Sequence, residues 1–383
     1  MVNNSNYDIL PVYQTDEGVK FDLLDLKVAL LHHGIQVDNA VYETFEGKAR
    51  LSKNPFRCSS MILNKQISCL IALTEMNTPF RLIIKDNKPV ITHNGNFLTE
   101  VTFHEKSPFY DQKTSNGTPF DNLAVIQGQD SLTIACLWRC EITQSGNACA
   151  FCHTGNYVYP YQSVSEMMEV VRYAVEISPK ATCLKLTAGS TYNPAGEIDR
   201  YVEILKGVDK TVGLDKMPTL IYLTPPSDFK QIDRLFDAGV KWIACDLDIW
   251  NEKLFNRICP GKAEITTRKR YLDTLYYIAA RYGKNRACCI FVAGIEPVES
   301  LIEGKTQLAE HGIVSWPSPL MRFGLEEKVL SEMQPFSLEY YRTVRKETAK
   351  LFIKYDLEPP GTYSSDSCMH RDIWLRRNFL ASE

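Results

Sequence analysis

Cys140, Cys149 and Cys152 stand together in the run CEITQSGNACAFC, spaced C-x8-C-x2-C, with Phe151 immediately before the last of them. Three thiolates in one loop can hold a metal ion or an iron–sulfur cluster through three positions and leave the fourth open to a substrate or cofactor. A closed alternative recruits the neighbouring His153 into a structural Cys3His zinc site, although adjacent Cys152 and His153 reach one ion only through a strained backbone. A metal-free loop fits poorly, because three thiols so close together tend to oxidise or to scavenge metal.

The elements that must position this loop follow from the hydrophobic pattern. From about Leu132 onward, apolar runs alternate with helical spacing. Candidate strands end at Cys136, Thr187, Thr224, Ile249, Val292 and Trp316, and each is apolar nearly throughout, as strands buried on both faces should be. Between them, Ser163 and Glu166 form a capping-box signature at the head of VSEMMEVVRYAVEI. Helical spacing recurs over 198–205, 229–236, 267–282 and 298–311. Six strand–helix repeats predict parallel strands with right-handed crossovers. They are too few for a closed eight-unit barrel; an open α/β partial (β/α)6 barrel of the TIM type is the favoured expectation over a flat doubly wound sheet, a choice that periodicity alone leaves open. The cysteine loop then leaves the carboxyl end of the first barrel strand, the face on which βα loops build sites.

The flanking regions read differently. Residues 23–33 have helical spacing, and RLIIKDNKPVITHNGNFLTEVTF reads as antiparallel strands around Asp86–Asn87 and Asn94–Gly95 turns. A helix is expected from about Leu338 to Tyr355, followed by a tail with Pro359-Pro360-Gly361 and Cys368-Met369-His370. The expected division is an N-terminal α+β domain over 1–125, the barrel over 126–330, and a C-terminal helix and tail over 331–383.

Whole-chain properties narrow the class. The chain has 383 residues and a formal charge of −3, which offers no electrostatic draw to nucleic acid or membrane. No apolar run approaches spanning length, and MVNNSNYDILPVYQTDEG has neither the basic start nor the apolar core of a secretory signal. A cytoplasmic protein is expected. Its twelve cysteines are then kept reduced, which favours metal or redox use of some and burial of the rest as small hydrophobes.

The loop resembles the cluster loop of the radical S-adenosylmethionine (radical SAM) superfamily, whose usual pattern is C-x3-C-x2-C with an aromatic residue before the last cysteine. Cys149-Ala150-Phe151-Cys152 fits that ending, while Cys140 lies farther upstream than the usual first ligand. Cys136 and Cys140 also make C-x3-C, but Cys136 falls in a predicted strand, so Cys140 is preferred. The resemblance implies a 4Fe-4S cluster on Cys140, Cys149 and Cys152, with S-adenosylmethionine chelating the fourth iron. Its sulfonium is then reductively cleaved to a 5′-deoxyadenosyl radical that abstracts hydrogen from a small-molecule substrate. An electron donor such as flavodoxin or ferredoxin is implied as well. By the same resemblance Phe151 packs near adenine, Gly189 and Ser190 in Thr187-Ala188-Gly189-Ser190 meet the methionine amino group, and Asp246 or Asp248 in CDLDIWN meets the ribose. Strict alternation would put both aspartates on one face. Glu296 in VAGIEP matches the region beside adenine. The runs DIWNEKLFNRICPGK and GIEPVESLIEG resemble the biotin-synthase-like branch most, which implies sulfur insertion or carbon-centred rearrangement.

Other residues carry a bland reading beside a sharper one. Cys183, Cys245, Cys288 and Cys289 lie on predicted strands and read first as buried thiols; the alternative is an auxiliary iron–sulfur cluster, for which strand TLIYLT supplies no cysteine. Cys58, Cys69 and Cys368 join such a site only if the terminal regions fold over the barrel mouth. Arg322 sits where a barrel loop could clamp a substrate carboxylate, or is an exposed or ion-paired arginine. Asp246 and Asp248 could instead pair with a barrel lysine such as Lys185, and Glu296 could be a helix N-terminal acid. Cys259-Pro-Gly-Lys reads as a helix terminator, and His32, His33, His93, His104 and His311 as surface or turn residues. Two other functions stay open: a zinc-stabilised α/β hydrolase or binding protein, and a non-catalytic iron–sulfur protein.

Overall fold

The computed structural model describes residues 10–53, 59–127, 131–136, 139–152, 162–177, 183–322, 325, 327–361 and 366–383. His153 and Cys58 lie outside the described residues.

The N-terminal region opens with a hairpin of β1 (Tyr13–Gln14) and β2 (Lys20–Phe21). It continues through the helix Leu23–His33, β3 (Gln36–Val37), β4 (Ser60–Leu63), β5 (Ile67–Leu70), β6 (Phe80–Lys85), β7 (Lys88–His93) and β8 (Asn96–Phe103). The last six strands form one sheet in the order β3-β6-β7-β8-β4-β5. Its hairpin turns are those the sequence signals: Asp86 and Asn87 have φ of 49° and 60°, Asn94 and Gly95 of 49° and 85°. These are the left-handed pairs that match the twist of a two-residue hairpin. The helix Leu23–His33 starts on a full capping box, with Asp22 Oδ1 accepting from the Leu24 and Asp25 amides at 2.8 Å and Asp25 Oδ2 accepting from the Asp22 amide.

The second sheet holds β9 (Ala124–Gln127), β10 (Ser131–Ala135), β11 (Cys183–Thr187), β12 (Thr219–Tyr222), β13 (Trp242–Ala244), β14 (Ala287–Ala293) and β15 (Val314–Pro319) in consecutive order. The six strands from β10 to β15 are parallel, as the repeats predict, and helices cross between them. The fold is the expected partial barrel. One strand was not anticipated: β9 runs antiparallel to β10 and covers its outer edge. Two boundaries move by three residues or more. β15 continues past Trp316 to Pro319, and β13 stops at Ala244 instead of reaching Ile249. Irregular pairing with β14 continues beyond it, from Cys245 N to Cys288 O and through an isolated bridge between Asp248 and Phe291, where Asp248 takes a left-handed φ of 65° that no regular strand accommodates.

The barrel sheet has two chemically distinct faces. Leu132, Ile134, Leu184, Leu186, Ile221 and Ile243 are fully buried and alternate in register with the opposite set, so they form the face under the helices. The opposite set includes Thr133, Thr187, Tyr222, Asp246, Ile290 and Ser318, and each of these is half-buried. Half-exposure repeated on one face only, in the middle of a sheet, marks an open chamber inside the half-barrel. The helix Val298–Glu310 identifies its own side: Lys305 Nζ reaches Ser315 O at 2.9 Å and Ser315 Oγ at 3.2 Å, so Ser315 faces outward and Trp316 inward.

The C-terminal region folds back onto this frame. The helix Leu338–Lys354 packs on Val298–Glu310 and on the N-terminal helix. Short helices His370–Leu375 and Arg377–Ser382 end the chain, and Met369 N donates to Pro317 O of β15.

Candidate active site: the cysteine loop and the barrel chamber

The loop after β10 is built by close backbone approach. Cys140 precedes the short helix Glu141–Gln144, and the Glu141 amide donates to Ser190 O at 2.9 Å. A Cβ added at Gly189 would lie 2.4 Å from Cys140 Cα, so only glycine fits there. The constraint is contact, since Gly189 does not have a positive φ. A second glycine does the same from below: a Cβ at Gly261 would lie 2.5 Å from Asn147 O and 2.6 Å from Ile142 Cβ. Ala150 N donates to Ile258 O at 2.8 Å, and Cys152 N to Cys149 O at 2.9 Å. Cys149 is buried, and Cys140, Phe151 and Cys152 are half-buried.

The neighbour that sequence reasoning missed is Cys259. It ends the helix Glu252–Ile258 and begins Pro260–Ile265, so the terminator reading holds, but its thiol also hydrogen-bonds Cys149. Donation from Cys259 holds the Cys149 thiol below its ordinary range against the effect of burial, with the Lys262 ammonium assisting. A thiol held toward its thiolate form suits Cys149 as a ligand to a soft metal. Among the described residues, no three His, Cys, Asp or Glu side chains are gathered as a finished metal site. The signal that could have found Cys259 is its place in Cys-Pro-Gly-Lys, where proline and glycine force a sharp, close-packed turn.

At the mouth of the chamber lies a cavity of about 60 Å³ lined by Gly189, Ser190, Glu197, Tyr222, Thr224, Asp246, Lys262 and Tyr271, among others. Three of the sequence-derived candidates, Gly189, Ser190 and Asp246, meet here. Asp246 and Asp248 do not simply alternate on a strand, because β13 has already ended. Lys262 Nζ binds Asp246 O at 2.8 Å and forms a buried ion pair with Asp248. Their lysine partner is thus Lys262, not Lys185. Asp246 Oδ1 accepts from the Ile290 amide at 3.0 Å, and burial, with the Asp248 charge next in importance, pushes its carboxyl up to about 7. Burial likewise pushes Glu197 up to about 8, leaving it protonated at neutral pH. Its Oε2 accepts from the Thr224 amide, while Oε1 is buried with no hydrogen-bond partner among the described residues.

Glu296 and Arg322 sit elsewhere. The Glu296 carboxylate accepts from the Trp250 and Asn251 amides at 2.7 and 2.9 Å and from Ser300 Oγ at 2.6 Å, holding the start of the helix Glu252–Ile258. Neither residue lines this cavity. The Arg322 amide donates to His32 O, and its charge acts on both His32 and His33. His32 is not a surface residue. It is buried, its Nδ1 meets Leu320 O at 3.0 Å, and burial first, then His33, pushes it down to about 3. The strand cysteines divide between the two faces. Cys183 and Cys288 point inward near Tyr222, joined by Cys368 from the tail, whereas Cys245 and Cys289 point toward the helices.

No protein-family model matches the chain. Bacteriochlorophyllide c C-7(1)-hydroxylase of Chlorobaculum limnaeum is 23% identical over 354 residues, covering 87% of this chain and 85% of that protein. Among solved structures, a radical SAM methyltransferase from Sphaerobacter thermophilus is 14% identical, with a TM-score of 0.44 over 78% of this chain and 83% of the other. HydG, a maturase of the [FeFe]-hydrogenase, is 14% identical with a TM-score of 0.46 over 60% of this chain, which spans about half (52%) of HydG. The resemblance to the radical SAM superfamily is carried by the cysteine loop, Cys140, Cys149 and Cys152 with Phe151 before the last of them.

Proposed function

We propose that this chain is a radical SAM enzyme, with its cluster on Cys140, Cys149 and Cys152 and its substrate, a small molecule, inside the barrel chamber. When bound, the cluster and S-adenosylmethionine supply reductive sulfonium cleavage and hydrogen abstraction from an unactivated carbon. The observation that carries the reading is the contact of Gly189 with Cys140, which makes the first thiol and the mouth cavity share one wall. Gly189, Ser190 and Asp246 orient the nucleoside and its methionine end, Phe151 offers an apolar ring face, and Asp248 fixes Lys262 beside them. Glu296 and Arg322 act from the surrounding shell. The helix-covered sheet excludes water from behind the reacting carbon. Residues 126–330 carry this unit, the N-terminal α+β region and the C-terminal helix and tail completing its walls.

The finer reading is biotin-synthase-like chemistry, sulfur insertion or carbon-centred rearrangement. The relative named bacteriochlorophyllide c C-7(1)-hydroxylase supports hydrogen abstraction as the opening step. No disulfide joins two of the described cysteines, which suits a cytoplasmic enzyme reduced by flavodoxin or ferredoxin. Anaerobic reconstitution tests the proposal. Wild type should bind about four irons per chain and release 5′-deoxyadenosine after reduction with S-adenosylmethionine. The variant with Cys140, Cys149 and Cys152 all changed to Ala should do neither. A colourless zinc protein, or a triple variant that keeps its iron, would sink the reading.

A further inference from the structure

The backbone brings Cys149 and Cys259 face to face. Ala150 N donates to Ile258 O at 2.8 Å, and Gly261 N donates to Asn147 O at 3.1 Å. These bonds pair Ala150 with Ile258 and Asn147 with Gly261, so the two segments run in opposite directions and Cys149 falls opposite Cys259. Among the described residues no main-chain bond joins the two cysteines themselves. In an antiparallel register, opposed residues of that kind hold their side chains closest. Gly261 permits the approach, because a Cβ there would lie 2.5 Å from Asn147 O. The helix ends fix Cys259 from its own side: its N–H donates to Phe255 O at 2.8 Å, and its C=O accepts from Ala263 N at 3.0 Å.

The Cys259 thiol is aimed differently from those of other buried cysteines. Cys69, Cys136, Cys183 and Cys289 each donate to a nearby main-chain carbonyl, Leu70 O at 3.4 Å, Ile134 O at 3.8 Å, Leu184 O at 3.4 Å and Ile290 O at 3.5 Å. Cys259 is fully buried, and its thiol has the Cys149 sulfur as its hydrogen-bond partner. Cys149 is itself only 7% exposed, so water does not readily take the place of this donor. The Lys262 ammonium nearby is already engaged by Asp248 and by Asp246 O.

Hydrogen bonds to ligating sulfurs draw negative charge away from an iron–sulfur cluster and raise its reduction potential. We propose that Cys259 is a positioning residue that donates its S–H to the Cys149 sulfur in the loaded enzyme, holding the cluster at a higher potential than its three ligands alone would set. The inference rests on the assignment of the cluster to Cys140, Cys149 and Cys152, and Cys259 itself binds no iron. A higher potential lets an electron donor reduce the cluster more readily and leaves less driving force for sulfonium cleavage. The thiol therefore sets the balance between those two steps.

The test is a redox titration of the reconstituted full-length protein, followed by electron paramagnetic resonance without S-adenosylmethionine. Cys259→Ala and Cys259→Val both remove the donor, the second without opening a cavity. Each should keep about four irons per chain. Each should also shift the one-electron equilibrium about tenfold toward the oxidised cluster, about 59 mV more negative. Cys259→Ser keeps a hydroxyl donor and should recover most of that shift. A potential unmoved in both donorless variants overturns the proposal, and so does a Ser variant that follows them. Iron lost from the Val variant, with its melting temperature before reconstitution unchanged, would make Cys259 a ligand and overturn it as well. A wild-type chain that takes up no iron sinks the cluster assignment itself, whereas full iron with an unmoved potential sinks only the role of Cys259.

Discussion

The two large sheets handle their strand ends in opposite ways. In the N-terminal sheet, β6, β7 and β8 are joined by two-residue turns whose Asn, Asp and Gly residues serve only the backbone. In the barrel sheet, every strand from β10 onward ends in a segment long enough to carry side chains inward, and the cysteines, Gly189, Asp246 and Lys262 all lie on such segments. Tight antiparallel turns spend their residues on conformation. Parallel crossovers need length, and that length is what a site can be built from.

Equivalent substitutions in the two sheets should therefore differ sharply. The largest effect is expected from Gly189→Ala. Its methyl would occupy the position of the Cys140 backbone, so iron retained after reconstitution should fall to a small fraction of wild type. A variant that holds full iron would break the link between that glycine and the first ligand. Next comes Lys262→Met, which leaves Asp248 charged and buried without its partner. It should cost about 3–5 kcal/mol in urea denaturation. Lys88→Met, facing Glu100 across exposed strands of the other sheet, should leave the unfolding midpoint unmoved.

A smaller and pH-dependent effect is expected at Glu197. Its folded pKa of about 8 lies above its ordinary value of 4.5, so the folded state binds more protons between those limits. Stability must then fall as pH rises through that window. Glu197→Gln should flatten this part of the melting temperature profile, and a profile unchanged by the substitution would refute the buried, protonated carboxyl. The smallest effect is expected from Gly95→Ala. With φ at 85° and no atom within 4 Å of the new methyl, it should cost about 1 kcal/mol of backbone strain and no iron.

Much of this frame is legible in the sequence. Continuous apolar runs locate all six parallel strands, helical spacing locates Leu23–His33, and turn residues locate the hairpins. The site is less legible, for physical reasons. Gly189 reads as a ligand-binding glycine when its strictest demand is contact with Cys140. Cys259 is remote in sequence from Cys149 and meets it only because Gly261 allows close packing. The chamber itself is hidden because Lys185, Tyr222 and Trp316 sit within runs that read as uniformly apolar, so the alternation between a greasy and a polar face is faint. Asp248 departs from strand geometry through a single left-handed residue, which periodicity cannot register.

The buried pairing of Lys27 with Asp372 joins residues 345 positions apart, and Arg345 adds contacts to both Asp22 and Asp25. These bonds rivet the earliest helix to the latest ones. Excising either region would strand a cation or a carboxylate in an apolar interior. The barrel is consequently not a detachable module: it should melt in one step with its flanks, and a dissected fragment should come out of cells as aggregate.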